Sequence, residues 1–166
     1  MIDITQRKVS RLRMMARLGI WTSLLGGFFL PWIIMLTVEV VVRDVPVPRA
    51  WRSFTLHLFA PGYNFFLIGV LTGIPFMILA VMILFHLGTA SAHNVLIAYR
   101  RAFGLLSAGL GMLFIASWVH VDVLIHPDAQ GALAYFYLPI LLTTILPLGY
   151  GLGRALAKAF LPRLSL

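Results

Sequence analysis

From Ala102 to Val121 the chain runs for 20 residues without a formally charged side chain. A helix rising about 1.5 Å per residue covers about 30 Å over such a run, the thickness of a bilayer's hydrocarbon core. Three further runs share this character: Leu18–Val42, interrupted only by Glu39, then Tyr63–Leu87, and Ala132–Gly153. Only 11% of the residues are charged, against about 25% in a soluble domain. A chain this apolar cannot cover its own surface in water, so lipid is its solvent. The expected fold is an all-α integral membrane protein, one domain over residues 1–166. Its four transmembrane helices are expected at about 18–42, 63–87, 102–125 and 132–153.

Before the first run lie Arg7, Lys8, Arg11, Arg13 and Arg17, with Val9, Leu12, Met15 and Ala16 at helical spacing. This segment reads as a short basic amphipathic helix lying on the membrane surface. Its five cations would meet lipid head groups there, and they also serve as a topology signal. A basic segment followed by an apolar run is the pattern of a secretory leader too. Leu18–Val42 is too long for one and shows no small-residue cleavage pattern, so it is read as a retained anchor. In the first connection, Val-Pro-Val-Pro (45–48) should be extended. Residues 51–59, with Trp51, Phe54 and Leu58 on one face, should form an interfacial half-helix, and Pro61-Gly62 should turn the chain back.

Inside the spans, Pro31 and Pro75 predict bends at mid-depth. Ser23 with Gly27, Gly69 with Gly73, the run from Gly104 to Gly111, and Gly149 with Gly153 predict close helix contacts, because small residues let backbones approach. Most tyrosines and tryptophans fall near span ends, where amphipathic rings sit best; Trp32 is placed at mid-membrane. Orientation follows from the basic residues. The first 17 residues carry five, the second connection two and the C-terminal segment three, against three in the first connection and none in the third. Ten against three puts both termini in the cytoplasm, and the expected location is a bacterial cytoplasmic (inner) membrane. The same argument accounts for the net charge of +8, and no free basic patch points to nucleic acid.

The titratable groups then concentrate at the outer face: Glu39, Asp44, Asp122 and Asp128, with His57, His120 and His126. Imidazole and carboxylate together suit zinc, copper or iron, so His120, Asp122, His126 and His57 are the metal candidates. Asp122 and His126 are four apart and share a helical face. His120 precedes Asp122 by two positions, about 200° round a helix, so one helix cannot offer all three to one ion. Haem needs two histidines at one depth. His86 and His120 lie at opposite ends of their spans; His86 with His93, or His120 with His57, would need a loop residue. Absence of cysteine excludes disulfides and thiolate chemistry. Asp44 and Asp122 lack an intramembrane protease motif. Gly149-Tyr-Gly151 lacks the neighbours of a potassium filter, and no Walker loop, GxSxG or HExxH occurs. No catalytic residue and no cofactor is assigned.

The segment from Leu84-Phe-His86 through His93-Asn94 to Arg100 resembles the histidine-rich cytoplasmic turn of quinone-reactive membrane anchors. The likeness stops there and the span count differs, so the chain is not placed in that family. Three readings of function remain. The first is an accessory or anchor subunit of a larger membrane complex, packed against other integral membrane subunits and against lipid or quinone. The second is a small-solute or ion transporter, which four spans could form only as a homo-oligomer; Glu39 in a proton path would belong to it, whereas the simpler account of Glu39 is an ion pair with Arg43, four residues on along the same helical face. The third is a redox or metal-binding enzyme component built on the outer His/Asp cluster.

Overall fold

The computed structural model of the chain describes residues 2–61, 64–91, 93–127 and 131–160. The predicted positions of Gly62, Tyr63, Asp128 and Arg163 lie outside them. Five helices follow one another: α1 (Ile2–Thr37), which runs on into a π-helical turn (Val38–Val42), then α2 (Val47–His57), α3 (Phe65–Leu87), α4 (Val95–Ile125) and α5 (Gly131–Phe160). No strand occurs among the described residues. Four of the helices are long and apolar enough to cross a membrane: Thr5–Val42 (α1 with the π turn), α3, α4 and Leu133–Phe160 within α5.

Among the described residues the protein is therefore all-helical, with four helices of membrane-spanning length and apolarity, consistent with an integral membrane protein. α1 packs along α3 and α4 along α5, and the two pairs meet through α3 and α4, α3 and α5, and α1 and α4. Small residues set these contacts. A Cβ on Gly27 would fall 2.5 Å from the Phe76 Cβ, and one on Gly69 would fall 2.8 Å from the Phe28 carbonyl oxygen, so α1 and α3 touch at backbone distance. A Cβ on Gly149 would lie 2.7 Å from the Ala108 Cα, and one on Gly153 would lie 2.5 Å from the Phe103 oxygen, so α4 and α5 do the same. The core between the pairs is made of Leu12, Leu79, Met112, Leu138 and Leu142. Bulky apolar side chains such as Trp21, Phe85, Phe114, Trp118 and Phe136 are left exposed, as lipid-facing positions should be.

Three segments differ from the sequence expectation. The basic segment is not a separate helix. α1 is continuous from Ile2, and Val9, Leu12 and Ala16 are buried. Leu12 and Ala16 join Leu87, Ala90 and Ala98 in the core, so this chain's own α3–α4 connection takes the stripe that was expected to meet lipid. Arg13 follows it, with Nη2 donating to the Ala90 carbonyl at 3.4 Å. The helix of the first connection begins at Val47, before the expected point, because Pro48 occupies its first turn, where the missing N–H has no intrahelical partner to lose. Trp32 is not isolated at mid-depth: its Nε1 donates to the carbonyl of Phe65, the first residue of α3, at 2.9 Å.

Asn64 starts α3 by accepting from the Leu67 N–H at 2.9 Å, an N-cap. After the π turn the chain leaves α1 through Asp44, whose φ of 55° is left-handed. Aspartate tolerates that region better than most residues. This exit swings α2 back over the end of the bundle.

Candidate functional site

The titratable residues of the first and third connections gather at the end of the bundle opposite the basic segment, in three levels. Outermost, Asp122 and His126 on the last turn of α4 face away from the core, with Nδ1 of His126 3.2 Å from an Asp122 oxygen. Both side chains are largely exposed. The four-residue spacing read from the sequence produces this pair.

Beneath them is a cavity of about 440 Å³ between the π turn, α2 and the ends of α3 and α4. Its polar rim is Glu39, Arg43, Ser53 and His57, and its apolar wall includes Met35, Phe65, Val123 and Leu124. Arg43 is fixed from two sides. It pairs with Glu39, four residues earlier, and its Nη2 donates to the Leu124 carbonyl at 2.6 Å. That carbonyl lies in the last turn of α4 and has no intrahelical partner, so the guanidinium ties the π turn to the end of α4. The predicted Glu39–Arg43 pair is therefore present, and it also serves as a clasp. On the other side of the rim, the Nδ1–H of His57 donates to the Ser53 carbonyl at 2.8 Å. Phe54 holds α2 down: its ring lies 5.5 Å from that of Trp32 and 5.9 Å from that of Phe65.

Deepest is His120. It is 1% exposed, turned into the bundle and away from Asp122, as the 200° between them requires. Its Nε2 lies 3.3 Å from Thr72 Oγ1, and its ring is 5.4 Å from that of Tyr135. Its Nδ1 is buried without a hydrogen-bond partner among the described residues. Below this level the buried side chains include Phe76, Leu79 and Ile83 of α3, Leu105 and Met112 of α4, and Leu142 and Leu146 of α5, with Ser23 of α1 as a buried polar residue among them.

The four metal candidates are thus divided. Asp122 and His126 pair outside, His57 stands on α2, and His120 lies inside. Among the described residues no three His, Asp or Glu side chains could hold one metal ion. Sequence reasoning missed the partners of His120. Thr72, His120 and Tyr135 come from three different helices, so no spacing relates them; the available sign was only that each is a polar group in an apolar run. The basic end holds Arg7, Lys8, Arg11, Arg13 and Arg17, all on α1. No family model, curated protein or solved structure matches the chain, so its own residues carry the functional argument.

Proposed function

We propose that the protein is an accessory or anchor subunit of a larger membrane complex, with its basic end and both termini in the cytoplasm of a bacterial cell. The observation that carries this reading is a groove of about 270 Å³ in which α1 and α4 part over α3. Its flanks are small, with Gly19, Ser23 and Gly26 on α1 and Gly109 on α4, over a floor that includes Phe76 and Leu79. A Cβ on Gly26 would meet nothing within 4 Å, so this glycine is not needed for the chain's own packing. Gly27, Gly69, Gly149 and Gly153, by contrast, are spent on contacts between the chain's own helices. At Gly26 the groove stays open, and with small residues along its flanks it has a shape that accepts a partner's transmembrane helix.

The cavity at the opposite end is the second part of the proposal. Its apolar wall and charged rim suit the head of a lipid or quinone entering from the outer leaflet. No formally charged side chain falls within α3 or between Ala102 and Val121 of α4, which weighs against an oligomeric transporter with ionisable groups in the middle of the bilayer.

Extraction from native membranes in mild detergent tests the subunit reading. Other integral membrane polypeptides should copurify in fixed ratio. Gly26→Phe starts from a Cβ with open space around it and puts a bulky ring in the groove, and it should release them while leaving the protein folded and membrane-inserted. Recovery of this chain alone, as a defined oligomer, would sink the reading and direct attention to transport.

A further inference from the structure

The basic end holds a second cationic cluster, separate from the α1 segment. The rings of His86 on α3 and Tyr150 on α5 are stacked, with centroids 5.5 Å apart and planes within 10°. The Arg154 guanidinium carbon lies 5.6 Å from the centroid of the same Tyr150 ring. A missing side chain makes room for this arrangement: a Cβ on Gly104 of α4 would come within 2.9 Å of Arg154 Cγ and 2.7 Å of Tyr150 Cδ2. Arg101, three residues before Gly104 and so its neighbour on the surface of α4, completes the group.

Two facts say what this cluster takes. First, neither Arg101 nor Arg154 makes an ion pair with an acid among the described residues: Glu39, Asp44 and Asp122 belong to the opposite end, and Asp3, the acid at this end, stands on the first turn of α1. Like charges gathered without a counter-ion repel one another, and an anion between them removes that cost. Second, its depth is defined. Arg101 immediately precedes the uncharged run of α4, Arg154 immediately follows that of α5, and His86 stands in the last turn of α3. All three therefore mark the edge of the hydrocarbon, the level of lipid phosphates. The neighbouring exposed side chains toward the bilayer, Phe85, Leu148 and Leu152, are apolar and suit acyl chains.

We propose that this cluster binds the phosphate of an anionic phospholipid. Arg101 and Arg154 are the charge-paired contacts, and the Tyr150 face holds the Arg154 guanidinium in place. Basic pockets between transmembrane helices are a recurring setting for such head groups. The proposal is independent of whether a partner occupies the α1–α4 groove.

The test uses the purified full chain in nanodiscs of phosphatidylcholine with a minority of phosphatidylglycerol. Native mass spectrometry of the released protein counts the phosphatidylglycerol retained. Wild type should retain it in preference to phosphatidylcholine. Arg101→Gln with Arg154→Gln should weaken retention about 30-fold, as expected for two lost cation contacts at a membrane surface. Arg11→Gln with Arg17→Gln removes the same charge from α1 and should change retention by no more than a few-fold. Equal weakening in the two double variants would overturn the proposal, because a general surface field would then suffice. Thermal unfolding verifies that each variant is folded. Should the Gln pair fail to fold, Arg154→Lys decides: it keeps the charge and loses the planar contact with Tyr150, so retention at the wild-type level counts against the site. A final arm adds inorganic phosphate to the protein in neutral detergent. Stabilisation equal to that given by phosphatidylglycerol would assign the site to free phosphate and defeat the lipid proposal.

Discussion

His120 is the one ionisable side chain among the described residues that the bundle closes over completely. Its Nε2 has Thr72, but its Nδ1 has no partner among the described residues. A buried polar atom left in that state costs about 1–3 kcal/mol. Stability alone would therefore favour an apolar side chain of similar size. His120→Leu should leave the thermal midpoint in detergent unchanged or raise it. His120→Ala should lower stability by about 2–3 kcal/mol, because it opens a void between Thr72 and Tyr135. A large loss of stability with leucine would show that the contact with Thr72 outweighs the cost of the unpartnered Nδ1. Arg43 carries a second prediction. Arg43→Met frees Glu39 and the Leu124 carbonyl together, and the cost should be about 1 kcal/mol, since the pair is partly exposed. Chemical denaturation of the two proteins side by side gives the difference.

Each pair of long helices depends on glycine at its crossing, and the α4–α5 pair shows it most clearly. Gly149 and Gly153 face the backbone of α4 at distances no Cβ tolerates. Gly153→Ala should therefore force α4 and α5 apart and lower the unfolding midpoint, at a cost of about 2 kcal/mol or more. Gly151 has nothing within 4 Å of its would-be Cβ. Gly151→Ala should be neutral or should stabilise by about 0.5–1 kcal/mol through helix propensity alone. Opposite signs two residues apart, read from thermal melts, would establish the crossing; equal effects would refute it. These elements were legible in the sequence because the bilayer imposes length and apolarity, and because glycines four apart mark one helical face. The amphipathic stripe at Val9, Leu12 and Ala16 was legible as well, but its partner was not. Periodicity shows that a face is buried without showing what buries it, and here the α3–α4 connection does. The site was legible only where its residues share a helix, as Glu39 with Arg43 and Asp122 with His126 do. The contacts of His120 with Thr72 and Tyr135 exist only once three helices are packed.

At the scale of the whole molecule, the separation of charge decides what the cavity can meet. Arg7, Lys8, Arg11, Arg13, Arg17, Arg100, Arg101, Arg154 and Lys158 lie at one end with a single acid, Asp3, among the described residues, while Glu39, Asp44 and Asp122 lie at the other with three arginines. Moving the basic end across a membrane would mean desolvating many cations against the usual potential, which is the physical root of the positive-inside rule. The proposed orientation keeps that end in the cytoplasm, so the cavity opens outward and its ligand arrives from the outer leaflet or the space beyond. The chain has no cysteine, so a single introduced thiol reports its own side. Ser53→Cys on α2 should react with a membrane-impermeant maleimide added to intact cells. Ser10→Cys on the exposed face of α1 should react only after the cells are permeabilised. The reverse pattern would turn the molecule over. The cavity would then face the cytoplasm, a quinone or lipid head would have to enter from the inner leaflet, and the cation cluster at Arg101 and Arg154 would have to find its phosphate in the outer one.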